Sequence, residues 1–362
     1  MAKRIVCWLA AAVLLLMGTM AGALADTPRE IYPLDYDTLP EPRAGQYHYL
    51  MACVDTWEGS ASNLGNTDGV LMVTLDVDAK RVMLTTFTRE MLVKRPDGGI
   101  GRFTYIAKNY GPEALCETVS THFGTKVDKY IIFSMDNVQT IIDAMGGVYI
   151  TVTDAEADYL NRYRIARDAT TPSMDKAGTY LFTGHAAVIY MRIRKVGGDG
   201  DSGRTRRIRT VLSTLAGKYA QASLDDALQL ITTVSENIVT TNMSMADLLE
   251  AAGYALELRG VEPEGIQMPP EEAMQPITYA GMATRQVDFE YSRQVLSELL
   301  ESDTPIILSN GKETMETTMA ELLPIPQAIE GKQAKLHLLQ MMPDIKRPAI
   351  HSEIAGRTLW LS

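Results

Sequence analysis

The chain is short of cysteine, of positive charge and of long apolar runs. Three of its 362 residues are cysteine, and the sequence holds no CxxC or mixed His/Cys cluster. That excludes a tetrahedral zinc site. Cys7 lies in the N-terminal segment, while Cys53 and Cys116 either pair in an oxidising compartment or stay as two buried thiols. Acids outnumber bases, 45 to 34, for a formal net charge of −11. Non-specific nucleic-acid binding needs a broad basic surface, so nucleic acid is excluded as a partner. After residue 25 no segment is apolar for long enough to span a bilayer, and no internal repeat is evident. What remains is globular. With 46% hydrophobic and 22% charged residues, the chain suffices for one large domain or two smaller ones.

The one long apolar run stands at the start. Lys3 and Arg4 precede the apolar stretch Ile5–Met17, and Ala23-Leu24-Ala25 fits the small-residue pattern before a signal-peptide cleavage point. Ile5–Ala25 is also uncharged and just long enough for an uncleaved anchor. Either reading exports the remainder. Asp26–Ala44 carries four prolines and reads as a linker or extended arm. Gln46–Asp55 reads as a strand ending in an acid. Val70–Val77 and Arg81–Phe87 form a hairpin across Asp78-Ala79-Lys80. Pro112–Phe123 opens with proline at a first helical position and stops at Gly124. Lys129–Phe133 and Val148–Val152 read as strands flanking a helix, Asp136–Met145, which Gly146-Gly147 ends. Helical patterns follow at Arg204–Ala222, Leu224–Asn237, Met245–Leu258 and Phe289–Glu301. Strands alternating with helices predict a sheet covered on both faces, and the hairpin makes that sheet mixed. Ser302–Ser362 shows no long element.

Against the acidic background, residues 192–209 pack six arginines and one lysine into eighteen positions, RIRKVGGDGDSGRTRRIR. Guanidinium forks suit bidentate capture of phosphate. Met191-Arg192-Ile193-Arg194 alternates apolar and basic. In a strand, Arg192 and Arg194 would share a face about 7 Å apart, a spacing that can grip a pyrophosphate. Gly197–Gly203 then reads as a flexible turn, and Gly203-Arg204 as the start of a helix whose N-terminus adds amides and a positive dipole end. On that helix Arg204 falls within about 40° of the centre of the apolar stripe, Arg207 flanks it, and Arg206 and Arg209 point outward. The bland alternative is a solvated patch or internal salt bridges. Phosphate chemistry commonly employs a divalent cation held by carboxylates. Asp55 and Asp68 stand at strand edges where they could converge on one. Turn aspartates also serve simply to hydrogen-bond the backbone. The five histidines (His48, His122, His185, His337 and His351) form no acid–base constellation.

From about Tyr47 to Tyr219, and more weakly to Glu301, the chain resembles the LytR–CpsA–Psr family of bacterial cell-envelope phosphotransferases. Cys53-Val54-Asp55-Thr56 and Asn66-Thr67-Asp68 look like the family's two aspartate motifs. Thr86-Phe87-Thr88-Arg89-Glu90 sits where the family has a serine-x-proline-arginine-aspartate motif. Val138–Val152 matches a signature helix, glycine pair and strand. Leu181–Ala187 leads into Tyr190–Arg194 and Asp201–Arg204 in family order. The resemblance implies a three-layer αβα sandwich with a central mixed sheet and an apolar cleft for a prenyl chain. It implies a magnesium- or manganese-dependent transferase, secreted or in the cell envelope, that moves a phosphorylated glycopolymer from a polyprenyl-pyrophosphate carrier to peptidoglycan at the outer face of the cytoplasmic membrane. Asp55 and Asp68 would hold the metal. Arg89, Arg192, Arg194, Arg204 and Arg207 would bind the pyrophosphate, the first four of them also acting in catalysis. The implied organisation is a signal or anchor over 1–25, a linker over 26–44, the catalytic-type domain over 45–301 and a tail over 302–362. Several positions depart from the pattern. Ile208 replaces a glutamine, Glu90 an aspartate, Thr88 a proline and Gly69 a threonine or serine, and Arg102-Phe103-Thr104 replaces lysine-x-asparagine. They leave open a non-catalytic binder of polyprenyl phosphates and a pyrophosphatase that uses water in place of the sugar hydroxyl.

Overall fold

A computed structural model describes residues 27–56, 63–162, 174, 176–197, 200–220 and 224–302, together with short strand segments beyond 305. The segment read as a signal or anchor, and most of the tail, lie outside them. No helix among the described residues is long and apolar enough to cross a membrane.

In chain order the strands are β1 (Gln46–Val54), β2 (Thr67–Asp76), β3 (Arg81–Phe87), β4 (Leu92–Lys94), β5 (Ile100–Arg102), β6 (Lys129–Phe133), β7 (Val148–Val152), β8 (Gly178–Phe182), β9 (Thr240–Thr241), β10 (Glu264–Met268), β11 (Met274–Tyr279) and β12 (Met282–Val287). The helices are α1 (Ile106–Tyr110), α2 (Pro112–Phe123), α3 (Met135–Ala144), α4 (Asp154–Arg162), α5 (Gly184–Met191), α6 (Gly200–Ala220), α7 (Leu224–Glu236), α8 (Met245–Glu257) and α9 (Phe289–Glu301).

Six strands form the central sheet in the order β10-β3-β2-β1-β6-β9. The β1–β2–β3 meander is antiparallel, whereas β6 joins β1 and β10 joins β3 in parallel. The sheet is therefore mixed, and alternation along its strands feeds two layers. Leu50, Ala52 and Val54 of β1, with Tyr130 and Ile132 of β6, face a core shared with Leu115, Val119 and Phe123 of α2 and Val295, Leu296 and Leu299 of α9. Met51 and Cys53 of β1 and Phe133 of β6 point the other way. There they face an apolar cleft walled by α3, α5 and α6. The protein is thus a three-layer α/β sandwich.

Local signals explain the elements that flank the site. Ser134 caps α3 by accepting from Asn137 N, while the Asn137 side chain accepts from Ser134 N at 2.8 Å. Gly124 ends α2 in the left-handed conformation, φ +74°. Two expectations are corrected. Val148–Val152 pairs antiparallel with Gly178–Phe182 in a separate two-stranded sheet rather than in the main sheet. Its Val148, Ile150 and Val152 build a second core with Phe182, Ala186, Ala187 and Val211. The segment read as a linker, described from Thr27, lies against the domain. Ile31 and Leu39 are buried, and Leu34 N donates to Thr121 O at 2.8 Å. Cys53 and Cys116 are free thiols, and burial pushes both up to about 12.

Candidate functional site

The site begins with a register slip. Cys53 pairs with Gly69 but Val54 pairs with Thr67, so Asp68 is an extra residue bulged from the start of β2. A bulge re-aims the side chain it carries. Asp68 reaches four guanidiniums from three separate segments. Arg89 Nη1, on the loop after β3, lies 2.5 Å from Asp68 Oδ1, and Arg204 Nη1 on α6 lies 3.3 Å away. Arg192 and Arg194 approach with Nη2 atoms at 3.7 and 3.9 Å. The Arg204 side chain is 4% exposed and that of Arg89 11%, whereas Arg192 and Arg194 are 40% and 43% exposed. Two arginines are therefore held inside, and two stand partly exposed at the mouth. Asp68 stands within 4 Å of all four guanidiniums, with Glu90 3.9 Å from Arg89, and cations gathered this closely are a setting that favours an added anion.

The apolar cleft starts at this cluster. Its lining includes Asp68, Arg192 and Arg204 together with Met51, Phe133, Val138, Val188, Ile208 and Leu212, around a volume of about 200 Å³. Ile208 occupies the apolar wall. A Cβ placed on Gly69 would lie 3.5 Å from its Cδ1, so the two departures from the family pattern sit against each other. Cys53 also lines the cleft, but its raised pKa keeps it a thiol, because burial and the neighbouring Asp68 both oppose ionisation.

Asp55 lies just beyond β1. Its Oδ1 accepts from Asn66 N and its Oδ2 from Asn66 Nδ2, each at 2.8 Å. Asn66 Oδ1 and Thr56 Oγ1 are buried oxygens that accept or donate no hydrogen bond among the described residues. Carboxylate, amide and hydroxyl oxygens are the donor set a hard cation such as magnesium takes, so these residues fit one. No group of three or more His, Cys, Asp or Glu side chains placed to hold a metal ion occurs among the described residues.

Four expectations about the arginine segment change. Arg192 and Arg194 do not sit in a strand: Arg192 caps α5 in a helical conformation, and a loop follows. They still flank a buried residue, because Ile193 (0% exposed) plugs the second core between them. The following helix begins at Gly200 rather than Gly203, which places Arg204 in its second turn. Arg209 is buried rather than outward, and its Nη1 donates to Thr86 Oγ1 at 2.7 Å because α6 lies across β3. Arg207 faces away from Asp68 and pairs with Glu156, Nε to Oε1 at 2.6 Å. The sequence reading also missed Arg102. It reaches Glu90 at 3.6 Å, and Glu90 in turn stands 3.9 Å from Arg89. Only its place in the departing Arg102-Phe103-Thr104 triplet marked it.

A mixed sheet between helical layers, with an arginine-ringed acid at the head of an apolar cleft, defines an α/β sandwich protein whose cationic site opens into an apolar one. The chain belongs to the LytR_cpsA_psr family, whose model matches residues 34–294. It is 28% identical over 226 residues to Biofilm regulatory protein A of Streptococcus mutans, covering 59% of this chain and 55% of that protein. It is 26% identical over 189 residues to the polyisoprenyl-teichoic acid–peptidoglycan teichoic acid transferase TagV of Bacillus subtilis, covering 51% and 46%. The chain thus spans about half the length of these two relatives. The crystal structure of B. subtilis TagV shares the fold, with a TM-score of 0.56 at 20% identity, covering 72% of this chain and 98% of that one.

Proposed function

We propose that this protein is an exported phosphotransferase that moves a phosphorylated glycan from a polyprenyl-pyrophosphate carrier to a peptidoglycan hydroxyl. The observation that carries this reading is the arginine cluster opening directly into an apolar cleft, which matches a pyrophosphate head followed by a prenyl tail. The names of the transferase relatives support it. In this reading Arg192 and Arg194 grip the pyrophosphate at the mouth, and with Arg89 and Arg204 they stabilise the charge that develops on its bridging oxygen. An acceptor hydroxyl attacks the phosphorus that bears the glycan. The phosphoanhydride P–O bond breaks, the hydroxyl proton leaves to solvent or a nearby carboxylate, and polyprenyl phosphate departs with the apolar cleft still around its tail.

Asp55, with Asn66 and Thr56 beside it, and Asp68 would hold magnesium or manganese, which when bound would neutralise phosphate charge. Asp68 becomes available to a cation as phosphate oxygens draw the arginines away from it. Export places this site at the outer face of the cytoplasmic membrane, where the lipid carrier and the wall acceptor meet. A second reading, binding or hydrolysis without transfer, is favoured by Ile208, which offers no hydrogen bond where the family pattern has glutamine.

The test is incubation of the purified protein and magnesium with a prenyl-pyrophosphate-linked glycan and peptidoglycan, where phosphoglycan should move onto the peptidoglycan and release to water alone would favour hydrolysis without transfer. Geranylgeranyl pyrophosphate, which carries no glycan, reports the cleavage step by itself. Phosphate release should be seen, and Arg194→Ala should lower it about a hundredfold, the scale of removing one transition-state donor. Undiminished release from Arg194→Ala would remove the cluster from the chemistry. Tight binding with no release from the unaltered protein would favour the binding reading.

A further inference from the structure

Arg207 was expected to bind phosphate, yet its surroundings leave it no face to do so. The residue is 2% exposed. Its Nε donates to Glu156 Oε1 at 2.6 Å, its Nη1 to Ile193 O at 3.1 Å and its Nη2 to Val196 O at 3.5 Å. The guanidinium also lies 5.9 Å from the centre of the Tyr190 ring. The two carbonyls it holds belong to the residues on either side of the Arg194–Lys195 pair. Ile193 and Val196 are both buried in the second core, while Arg192, Arg194 and Lys195 between and beside them are exposed.

Glu156 is itself fixed. Its Oε2 accepts from Thr153 N at 3.0 Å and from Thr153 Oγ1 at 3.2 Å, which caps the start of α4 and leaves Oε1 for Arg207. One guanidinium therefore ties α6, the α4 N-terminus and the loop after α5 into a single unit. Arginine is the residue for this task, because its planar fork presents several donors in a fixed geometry and Glu156 compensates its buried charge.

We propose that Arg207 is a positioning residue: paired with Glu156, it fixes the 192–197 loop so that Arg192 and Arg194 are presented to the phosphate. This rests on the reading of Arg192 and Arg194 as the pair that grips pyrophosphate. Glu156 joins the functional set through Arg207, although it touches no phosphate.

The sign of the Glu156→Gln effect tells positioning from ligation. If Arg207 were a ligand masked by Glu156, removing that negative charge would tighten anion binding. A positioning role predicts weaker binding, because the loop loosens. The experiment measures inorganic pyrophosphate and geranylgeranyl pyrophosphate affinity by calorimetry, and hydrogen exchange of the 192–197 amides. It compares the full chain with Glu156→Gln, Arg207→Lys and Arg194→Ala. Glu156→Gln should raise Kd about tenfold, the scale of outer-shell positioning effects, and speed exchange across 192–197. Arg207→Lys keeps the charge but cannot span two carbonyls, so it should do the same. In an Arg192→Ala/Arg194→Ala background, Glu156→Gln should change Kd no further. Tighter or unchanged binding by Glu156→Gln, with loop exchange as in the unaltered protein, would overturn the proposal. If the unaltered protein and Arg194→Ala bind pyrophosphate equally poorly, the phosphate reading fails instead. The exchange measurement still decides the clamp in that case. A thermal melt of each variant separates loosening of the loop from loss of the fold.

Discussion

Asp68, within 4 Å of four guanidiniums, is both an anchor of the cluster and a competitor for its ligand. Its negative charge aligns Arg89, Arg192, Arg194 and Arg204, and the same charge repels any phosphate that enters. At separations near 4 Å and an intermediate dielectric such terms reach a few kcal/mol, about 4 kcal/mol at an effective constant of 20. Asp68→Asn should therefore tighten inorganic pyrophosphate binding by about tenfold, roughly 1.4 kcal/mol, while phosphate release from a prenyl pyrophosphate falls sharply. Calorimetry and a phosphate-release assay on the same variant check both halves. Weaker pyrophosphate binding would mean that Asp68 organises the arginines more than it opposes the anion. In the sequence Asp68 was legible as a strand-edge acid and through the family's second aspartate motif, but not as a bulged residue. Its bulge is a matter of pairing between β1 and β2, which no local pattern encodes. The opposite holds for Arg204, whose inward side of the helix could be read from the apolar stripe alone, and whose side chain is buried as that stripe requires.

Elements with strong punctuation were readable to the residue. Pro112 and Gly124 bracket α2, and Lys129–Phe133 and Phe289–Glu301 match the observed β6 and α9. The failures cluster where local pattern and packing disagree. Met191–Arg194 alternates like a strand, yet Met191 is the last residue of α5, Arg192 caps that helix and a loop follows; α5 packs closely on α3. The close approach has one residue at its centre. Gly184 N donates to Asp143 Oδ1 at 2.8 Å, and a Cβ at Gly184 would lie 2.1 Å from Gln139 O and 2.7 Å from Gln139 Cα. Those are backbone atoms, so they cannot swing aside. Gly184→Ala should separate α5 from α3 at a cost of about 3 kcal/mol. That corresponds to a melting temperature lower by about 5–10 °C in a domain of this size. Because α5 carries Val188 and Met191 of the cleft wall and ends at Arg192, prenyl-pyrophosphate affinity should fall with it. An unchanged melting curve would show that the helices can slide apart without loss. The α6 boundary was misplaced by three residues for a related reason: glycine and aspartate at 200–203 look like a turn, but they form the first helical turn.

At the scale of the whole molecule, buried imidazoles set the response to acid. His48 sits in β1 with Nδ1 2.9 Å from Thr74 Oγ1, and burial lowers its pKa to about 4. His122 in α2 accepts from Lys94 N through Nε2 at 2.9 Å and donates through Nδ1 to Thr118 O at 2.8 Å, and burial lowers it too to about 4. Both are neutral in the folded protein, and protonating His122 would place a second N–H against the Lys94 amide. In the unfolded chain each titrates near 6.5. Between pH 4 and 6.5 the unfolded state therefore binds more protons than the folded state, so stability rises with pH across that window. The stabilisation is complete above pH 6.5 and is lost as pH falls toward 4, by about 2 kcal/mol per histidine between pH 7.5 and 5. Glu272 works in the other direction. Burial raises it to about 7, so its folded form retains a proton that the unfolded chain releases from about 4.5 upward. Its contribution is present at low pH and is lost as pH rises through 7, which offsets part of the histidine term. Urea midpoints measured from pH 7.5 to 5 should fall, and Glu272→Gln should make that fall steeper by removing the opposing group. His122→Asn, which keeps a hydrogen-bonding side chain in place without the ionisable ring, should make it shallower. A midpoint that stays level in all three proteins would mean that the two buried histidines open to solvent before the rest of the fold, and that acid is sensed locally rather than by the domain as one unit.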